Sequence, residues 1–179
     1  MSRLARIAVG LLLAPAASAP GKDAPAFRSP ACGIGFTQPS GWRVQPGHDG
    51  LSCELTLLPP PERDIVMASP GSSDQPCHLG SILIVVYRRS LEDTAKASGF
   101  TREGGKWHFI PGSAFDHVDS LNGKGWRGLH SATISHYCGA AQETHEFLVG
   151  HGSRSVSIGV HGNNVAVVET LLPTIVLQP

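Results

Sequence analysis

The chain of 179 residues carries 14 basic and 14 acidic side chains, so its formal net charge at pH 7 is zero. That balance argues against nucleic acid as a partner, because phosphate binding requires a basic stripe or patch. Glycine and proline are frequent, with 21 and 14 residues, while only 16% of the residues are charged. This composition predicts short strands joined by many turns.

The first nineteen residues have the pattern of an export signal. Arg3 and Arg6 precede an apolar run over residues 7–14, and small residues follow as far as Ala19. The run is shorter than the roughly 20 apolar residues that a membrane span needs, so we expect a cleaved signal peptide. No lipobox-like sequence precedes the first cysteine, which argues against a lipid anchor. The predicted localisation is therefore periplasmic or secreted, with no membrane anchor in the mature form.

Cleavage is expected to leave one slightly acidic domain. Without Arg3 and Arg6 the chain keeps 12 basic and all 14 acidic residues, which gives a formal charge near −2. Residues 20–30 are rich in proline, alanine and serine and are predicted to form a flexible lead-in. Residues 31–179 are predicted to form a single domain.

The first part of this domain is predicted to be β-structure. Residues 33–37 and 42–44 alternate apolar with small or polar side chains on either side of a Pro-Ser-Gly turn, which predicts a hairpin. Residues 51–58 are a predicted third strand, ended by three consecutive prolines. The stretch 59–76 is turn-like, apart from a short edge strand expected at residues 65–67.

The second part is predicted to contain two helices among further strands. An apolar run over residues 81–87 predicts a strand covered on both faces at the centre of the sheet. Ser90 is predicted to cap a helix that ends at Gly99, because acidic residues follow the hydroxyl in the first turn. Two short strands are predicted on either side of residues 104–105. They are followed by a hairpin of residues 114–121 with 126–137 and a hairpin of residues 142–149 with 154–160. A helix over residues 165–172 and a strand over residues 174–178 complete the predicted elements.

This element order predicts an α+β fold, an antiparallel sheet with one or two helices packed on it. Residues 33–42 resemble the opening of domains with the Mog1/PsbP-like fold, which commonly begin with a strand, a Pro-x-Gly-Trp turn and a second strand. The ending is similar too, because a short helix that carries Val167, Val168, Leu171 and Leu172 leads into a last strand over 174–177.

The resemblance implies mainly an architecture. The fold group includes a partner of a small nuclear GTPase, a photosystem extrinsic subunit, and bacterial periplasmic or effector-chaperone proteins. These proteins share binding to other proteins and no common catalytic site. The resemblance therefore implies a binding or accessory role, and it assigns no site residue in this chain. Paired cysteines are not a general requirement of the group.

The four cysteines are predicted to form two disulfides, because an exported domain matures where thiols are oxidised. Three pairings are open. We favour Cys32 with Cys53, which would close a loop of about twenty residues, and Cys77 with Cys138 by exclusion. In the loop-entropy model each bridge stabilises the fold by about 3–4 kcal/mol, less any strain. The rival hypothesis is one zinc ion held by Cys77, His78, His136 and Cys138, which matches no familiar ligand spacing.

Histidine is frequent, with nine residues. His130, His136 and His145 could share one surface of the sheet, since residues 130 and 136 have equal parity on one strand. No His-x-His or His-Glu-x-x-His spacing supports a metal site. A surface that responds to pH is left open.

The sequence predicts no catalytic, cofactor or metal site. It contains no Gly-x-Ser-x-Gly motif, and no glycine-rich loop is followed by a helix that could hold a phosphate. Ser113, Asp116 and His117 lie close in sequence, but neighbouring positions on a strand point to different faces, whereas a triad requires convergence. The protein is therefore predicted not to be an enzyme and to need no cofactor.

The tryptophans point to the core and to one contact surface. Trp42, beside a turn, is predicted to pack in the core. Trp126 and Arg127 follow Gly125 directly and are predicted to be contact residues, because tryptophan and arginine dominate binding hot spots.

These observations favour an exported, non-catalytic protein-binding or accessory module of the cell envelope, with another envelope or secreted protein as its partner. One alternative is a small secreted hydrolase or metal-binding enzyme that uses the histidine-rich surface. Another is an inhibitor or immunity-type protein that acts through the loop over residues 59–76.

Overall fold

The computed structural model of the protein describes residues 26–47, 53–67, 77–109, 117–137 and 140–178. These contain fourteen strands and two α-helices, α1 (Leu91–Ala97) and α2 (Val165–Leu171). None of the described helices has the length and apolar character needed to cross a membrane. The strands are β1 (Ala26–Ser29), β2 (Ile34–Thr37), β3 (Arg43–Pro46), β4 (Glu54–Leu58), β5 (Val66–Met67), β6 (Cys77–His78), β7 (Ile82–Tyr87), β8 (Phe100–Glu103), β9 (Lys106–Phe109), β10 (His117–Gly123), β11 (Trp126–Tyr137), β12 (Ala140–His151), β13 (Arg154–His161) and β14 (Val176–Leu177).

A seven-stranded antiparallel sheet forms the centre of the fold, in the order β10-β11-β12-β13-β7-β4-β3. A second sheet places β2 between β1 and β14. The pairs β5–β6 and β8–β9 are separate two-stranded ribbons. The α+β class predicted from the element order is therefore confirmed at this level.

The two faces of the main sheet carry different layers, because successive residues of a strand point to opposite faces. We call them the α2 face and the α1 face. On the α2 face, Leu57, Ile84 and Ile158 are fully buried with Ile34 of β2 and Val168 of α2 in one large apolar cluster. On the α1 face, Leu129 and Leu148 pack against Ala95 of α1 and Phe100 of β8.

Helix α1 is fixed at its start and along one side. The Ser90 hydroxyl accepts a hydrogen bond from the backbone N–H of Asp93 at 3.1 Å, as predicted for the cap;. Thr94 and Ser155, both fully buried, share a hydrogen bond of 2.6 Å, and Ser155 donates to the carbonyl of Arg89 at 3.0 Å. These bonds tie the helix to β13.

The first predicted hairpin is wrong. Residues 33–37 and 42–44 lie in two different sheets, since β2 pairs with β1 and β14 while β3 pairs with β4. The turn reverses the chain, but each arm finds its hydrogen-bond partners elsewhere. Trp42 is buried in the main core, as expected.

Two further expectations differ from the structure. Residues 26–29, placed in the flexible lead-in, form β1, because Phe27 packs against Phe36 with ring centroids 4.9 Å apart. Strand β7 is an interior strand but is not covered on both faces, since Leu83 is 44% exposed. The layer formed by α1 and β8 packs on β11 and β12 instead.

The later elements follow the predictions closely. The hairpins β8–β9, β10–β11 and β12–β13 all form, and Val156, Ile158 and Val160 face the core together. The edge strand expected at residues 65–67 is present as β5. The final helix and strand are α2 and β14.

Candidate functional site

A cleft of about 560 Å³ opens at one end of the main sheet, where three turns converge. Its walls come from the first residues of α1, from the β10–β11 turn and from the β12–β13 turn. We call it the Trp126 cleft, because the half-buried indole of Trp126 forms one wall and the exposed Arg127 lies beside it. Both residues were predicted as contact residues, and the structure places both in this cleft. The other ionisable side chains that line the cleft are Glu92 and His151.

Glycine makes the walls of the cleft possible. A Cβ atom at Gly150 would lie 2.5 Å from the Cβ of Leu91, so only glycine lets the start of α1 pack on β12. A Cβ at Gly123 would overlap the indole of Trp126, which therefore lies against bare backbone. Gly125 has a φ of +81°, a left-handed conformation that suits glycine at this hairpin turn;.

Two smaller grooves adjoin the Trp126 cleft. One, of about 180 Å³, shares Trp126 and is lined on its far side by Ile175, Val176 and Leu177. The other, of about 250 Å³, shares Arg127 and extends to Arg102 and Trp107. The three depressions therefore form one extended surface around the end of β11, apolar on the β14 side and basic on the β8–β9 side.

The charge of this surface is positive. Glu92 is already paired with Lys96 at 2.8 Å, and this contact lowers the pKa of Glu92 and raises that of Lys96. The described residues contain no ion-pair partner for Arg127 or for Lys124, which lies at the same turn. The charged side chains of Arg127 and Lys124 are therefore available to an acidic partner.

A second polar cluster lies on the α2 face of the sheet. His130 Nε2 and His145 Nδ1 are 3.0 Å apart, across β11 and β12. The other ring nitrogen of each histidine contacts a carboxylate, with Asp119 Oδ2 at 3.7 Å from His130 Nδ1 and Glu143 Oε1 at 3.5 Å from His145 Nε2. The expectation that residues 130 and 145 share a surface is confirmed. His136 lies further along β11, at a position whose side chain is outside the described part.

Burial dominates the titration of this cluster. Burial and the neighbouring charge of His145 lower the pKa of His130, whereas Asp119 acts to raise it. On the α1 face, burial lowers the pKa of His161, whose Nδ1 lies 3.0 Å from Thr144 Oγ1. Within the described residues, no group of three or more potential ligands is placed to hold a metal ion.

Cys32 and Cys53 lie next to each other, and both are free thiols in the structure. A hydrogen bond between the two thiols and burial raise the pKa of Cys53, whereas the charges of Arg88 and Arg154 act to lower it. Arg154 also donates to the Cys32 carbonyl at 2.9 Å. The two cysteines of the favoured pairing are thus in contact, but the disulfide itself is not shown.

Several predicted candidates fall outside the described side chains. These are Cys77, His78, His136 and Cys138 of the second bridge and of the zinc hypothesis, and Ser113, Asp116 and His117 of the triad considered above. The structure therefore tests none of these three hypotheses.

No protein-family model matches the chain, and no curated protein matches it in sequence. Among the solved structures that are similar to it are one from a Bacteroides species and one from a cyanobacterium. A crystal structure from Bacteroides thetaiotaomicron VPI-5482 matches 86% of this chain with a TM-score of 0.54 and 14% identity, and the chain spans 48% of that protein's length. The solution structure of cyanobacterial PsbP (CyanoP) from Synechocystis sp. PCC 6803 is also similar. The match covers 92% of this chain and 99% of the CyanoP chain, with a TM-score of 0.50 and 9% sequence identity. At such identities the likeness concerns the fold alone.

Proposed function

We propose that this chain, which has the Mog1/PsbP-like fold, is an exported, non-catalytic accessory module that binds another envelope or secreted protein through the Trp126 cleft. The observation that carries the proposal is that Trp126 and Arg127 both line the cleft, and that each also lines one of the two adjoining grooves. Tryptophan and arginine contribute most to binding energy when a partner excludes water from them.

The shape of the surface favours an extended partner. The cleft shares lining residues with each of its two adjoining grooves, so the three depressions lie side by side around the end of β11. This arrangement suits a segment of polypeptide better than a compact small molecule. The apolar groove beside Val176 could take an apolar side chain, since Val176 is 59% exposed. Burial of one such side chain contributes about 1.5–3 kcal/mol.

The charge of the surface favours an acidic segment. Arg102, Lys124 and Arg127 line these depressions, and Lys96 compensates Glu92. An arginine can hold a carboxylate through two parallel hydrogen bonds. The partner we propose is therefore a protein segment that carries carboxylates next to an apolar side chain.

Site-specific photocrosslinking in the exporting cell tests the binding surface. A photoreactive amino acid at Lys124 is expected to give one defined adduct, whereas the same residue at Ile134 is expected to give none. Ile134 is a matched control because it is exposed on the same strand, eight residues and roughly 27 Å beyond Trp126;. Equal adducts from both positions would contradict the proposal.

Once the adduct partner is identified, two substitutions separate the cleft from the rest of the surface. Arg127→Glu is expected to weaken binding at least tenfold and to reverse its salt dependence. Arg43→Glu, on the exposed β3 at the opposite edge of the sheet, is expected to leave affinity unchanged. An unchanged affinity in Arg127→Glu would overturn the proposed site.

Export is tested separately from binding. Mass spectrometry of the protein from the periplasm and the medium is expected to find a form cleaved near residues 16–19. A full-length chain confined to the cell lysate would contradict this part of the proposal.

A further inference from the structure

The two edge strands of the main sheet, β3 and β10, differ in how well they could accept a further strand. Strand β3 has only four residues, carries the exposed Arg43 and ends at Pro46, which has no N–H to donate;. Short length, charge and proline are the usual means by which a sheet edge avoids further pairing. Strand β10 has seven residues, contains neither proline nor lysine, and pairs with β11 one to one without a bulge. It is therefore the edge that is suited to accept another strand.

The register of β10 shows which of its backbone groups point outward. In an antiparallel pair, residues that bond to the partner strand alternate with residues whose N–H and C=O groups point away from it. The two-residue turn of this hairpin is closed by the hydrogen-bonded pair of Gly123 with Trp126, so Leu121 also bonds to β11;. The N–H and C=O groups of Ser120 and Asn122 therefore point away from the sheet. Among the described residues, neither of them has a further backbone hydrogen bond.

The open part of this edge lies in one of the grooves beside the Trp126 cleft. Ser120 and Asn122 are exposed and line the groove of about 250 Å³, together with Arg102 and Trp107 of the β8–β9 hairpin. Further along β10, Val118 packs in the same apolar cluster as Trp107. The half of β10 nearest its turn is therefore the half that a further strand could reach.

The charges on the two faces of the sheet differ beside this edge. The side chains of an added strand would alternate between the two faces. On the α1 face, Arg102 and Arg127 line the groove, and Glu92 there is paired with Lys96. On the α2 face, Asp119 presents a carboxylate that is 53% exposed. The charges therefore favour a strand with acidic residues at every second position, those on the α1 face.

The same charges disfavour a second copy of this chain as the added strand. A symmetric contact between two copies places the same surface patch on both sides. The groove with Arg102 and Arg127 would then adjoin the same groove of the other copy, and like charges across an interface oppose binding;. An acidic strand from a different protein does not meet this repulsion.

We propose that the acidic partner segment binds as an additional β-strand along β10, with main-chain hydrogen bonds to Ser120 and Asn122. The inference rests on the proposed function and adds the conformation of the partner segment and the spacing of its carboxylates. In this mode of recognition the main-chain bonds supply affinity, and side chains at alternate positions supply specificity. A segment with a carboxylate at every second residue fits this edge.

A proline at Ser120 tests the added strand. Ser120→Pro removes an outward N–H that is not bonded to β11, and proline is tolerated at such positions of an edge strand. With the photoreactive amino acid at Lys124 in the exporting cell, we expect the adduct to fall at least tenfold in Ser120→Pro. Ser120→Ala keeps the N–H and is the matched control, in which the adduct is expected to be retained.

The outcomes separate this inference from the proposed function. An undiminished adduct in Ser120→Pro, or an equal loss in Ser120→Ala, would overturn the added strand and leave the binding surface in place. No defined adduct in the unsubstituted protein would contradict the proposed function itself. An adduct that contains two copies of this chain would overturn the inference in favour of self-association.

Amide hydrogen exchange, followed by NMR, shows whether the edge is open and whether the proline variant folds. In the purified protein we expect the N–H of Leu121 to be protected and those of Ser120 and Asn122 to exchange at least 100-fold faster. Equal protection of all three would overturn the proposal, because the edge would already be occupied. If Leu121 loses its protection in Ser120→Pro, Asn122→Pro removes the other outward N–H and takes its place in the crosslinking test.

A charge reversal tests the spacing of the carboxylates. Arg102→Glu is expected to lower the yield of the Lys124 adduct at least fivefold, because it places a negative charge beside the acidic positions of the added strand. Arg43→Glu, the same change on the blocked edge strand β3, is expected to leave the yield unchanged. An unchanged yield in Arg102→Glu would contradict acidic residues on the α1 face of the added strand.

Discussion

At the scale of single residues, Glu146 on the α1 face lies in surroundings that disfavour its charged form. It is half-buried, and Ser157 donates one hydrogen bond of 3.0 Å to its carboxylate. Ser131, at the paired position on β11, is 1% exposed, and its hydroxyl has no hydrogen-bond partner among the described residues. Burial raises the pKa of Glu146, and the bond from Ser157 offsets only part of that effect.

Substitution of Glu146 by glutamine is therefore expected to stabilise the protein at neutral pH. A carboxyl group with a raised pKa in the folded state contributes stability below its unfolded pKa of about 4.3 and loses it as pH rises through the folded value. At pH 7 the ionised group opposes folding, and the neutral amide removes that effect while its oxygen can still accept from Ser157. Urea unfolding at pH 7 and pH 4 measures the difference.

The gain should be present at pH 7 and mostly lost at pH 4, where the carboxyl is largely protonated in both states. Glu103→Gln, which removes an exposed carboxylate, controls for the change in net charge and is expected to have no effect. A gain of equal size at both pH values would show that charge burial is not its cause.

Sequence reasoning found only part of the candidate sites. Trp126 and Arg127 stood out because they follow a glycine turn directly. Glu92 and His151 did not, since they come from other turns, and only the sheet order brings those turns together. Asp119 opposite His130 could have been found, because the turn at residues 124–125 fixes the register of that hairpin;.

At the scale of elements, the packing of α1 on the main sheet depends on close approach to β12. Gly150 faces the first residue of α1, and an added Cβ would lie 2.5 Å from the Cβ of Leu91 and 3.2 Å from its Cα. The nearest atoms include backbone, which cannot turn away as a long side chain could. The helix must move if this position gains a methyl group.

Gly150→Ala is expected to destabilise the protein by about 1–3 kcal/mol, the usual cost of overpacking. Gly159→Ala is the matched control, because it is also a strand glycine and an added Cβ there meets no atom within 4 Å. We expect that variant to be neutral or more stable by about 0.4–1 kcal/mol. Denaturant midpoints compare the two, and an equal loss in both would contradict the packing argument.

The elements that the sequence predicted best are those whose pairing is local. The hairpins β10–β11 and β12–β13 combine alternating side chains with a glycine turn, so the turn and the pairing agree. The turn before Trp42 also reverses the chain, yet β2 and β3 separate, because β1 and β14 satisfy β2 from distant parts of the sequence. A turn motif predicts where the chain reverses direction. It does not predict which strands pair with the two segments that flank the turn.

At the scale of the whole molecule, the contact between Cys32 and Cys53 joins two sheets. Cys32 precedes β2 of the smaller sheet and Cys53 precedes β4 of the main sheet. The reaction that would link them removes two thiol hydrogens and requires a disulfide oxidant, which the proposed export compartment would supply. Such a bond would cross-link the two sheets covalently.

In protein purified from that compartment without reductant, we expect these two thiols to resist alkylation and peptide mapping to show a bond between them. Reduction is expected to lower stability by about 3 kcal/mol, as for a loop of this length. The double variant Cys32→Ser with Cys53→Ser should lose that part of the response to reductant. Complete alkylation of both residues in the exported protein would contradict the prediction.

The smaller sheet brings distant parts of the chain together, since β1 and β14 both flank β2. Two strand spacings, or about 10 Å, therefore separate the first described strand from the last. The backbone N–H of Gln178 adds a bond of 2.8 Å to the carbonyl of Gly33. Because both strands are antiparallel to β2, they run parallel to each other, and the chain enters β1 beside Thr37 but leaves β14 beside Ile34. A linker that joins them into a circular permutant opened at the β8–β9 turn must therefore cross β2, and fusions to the two strands would extend from opposite ends of the smaller sheet.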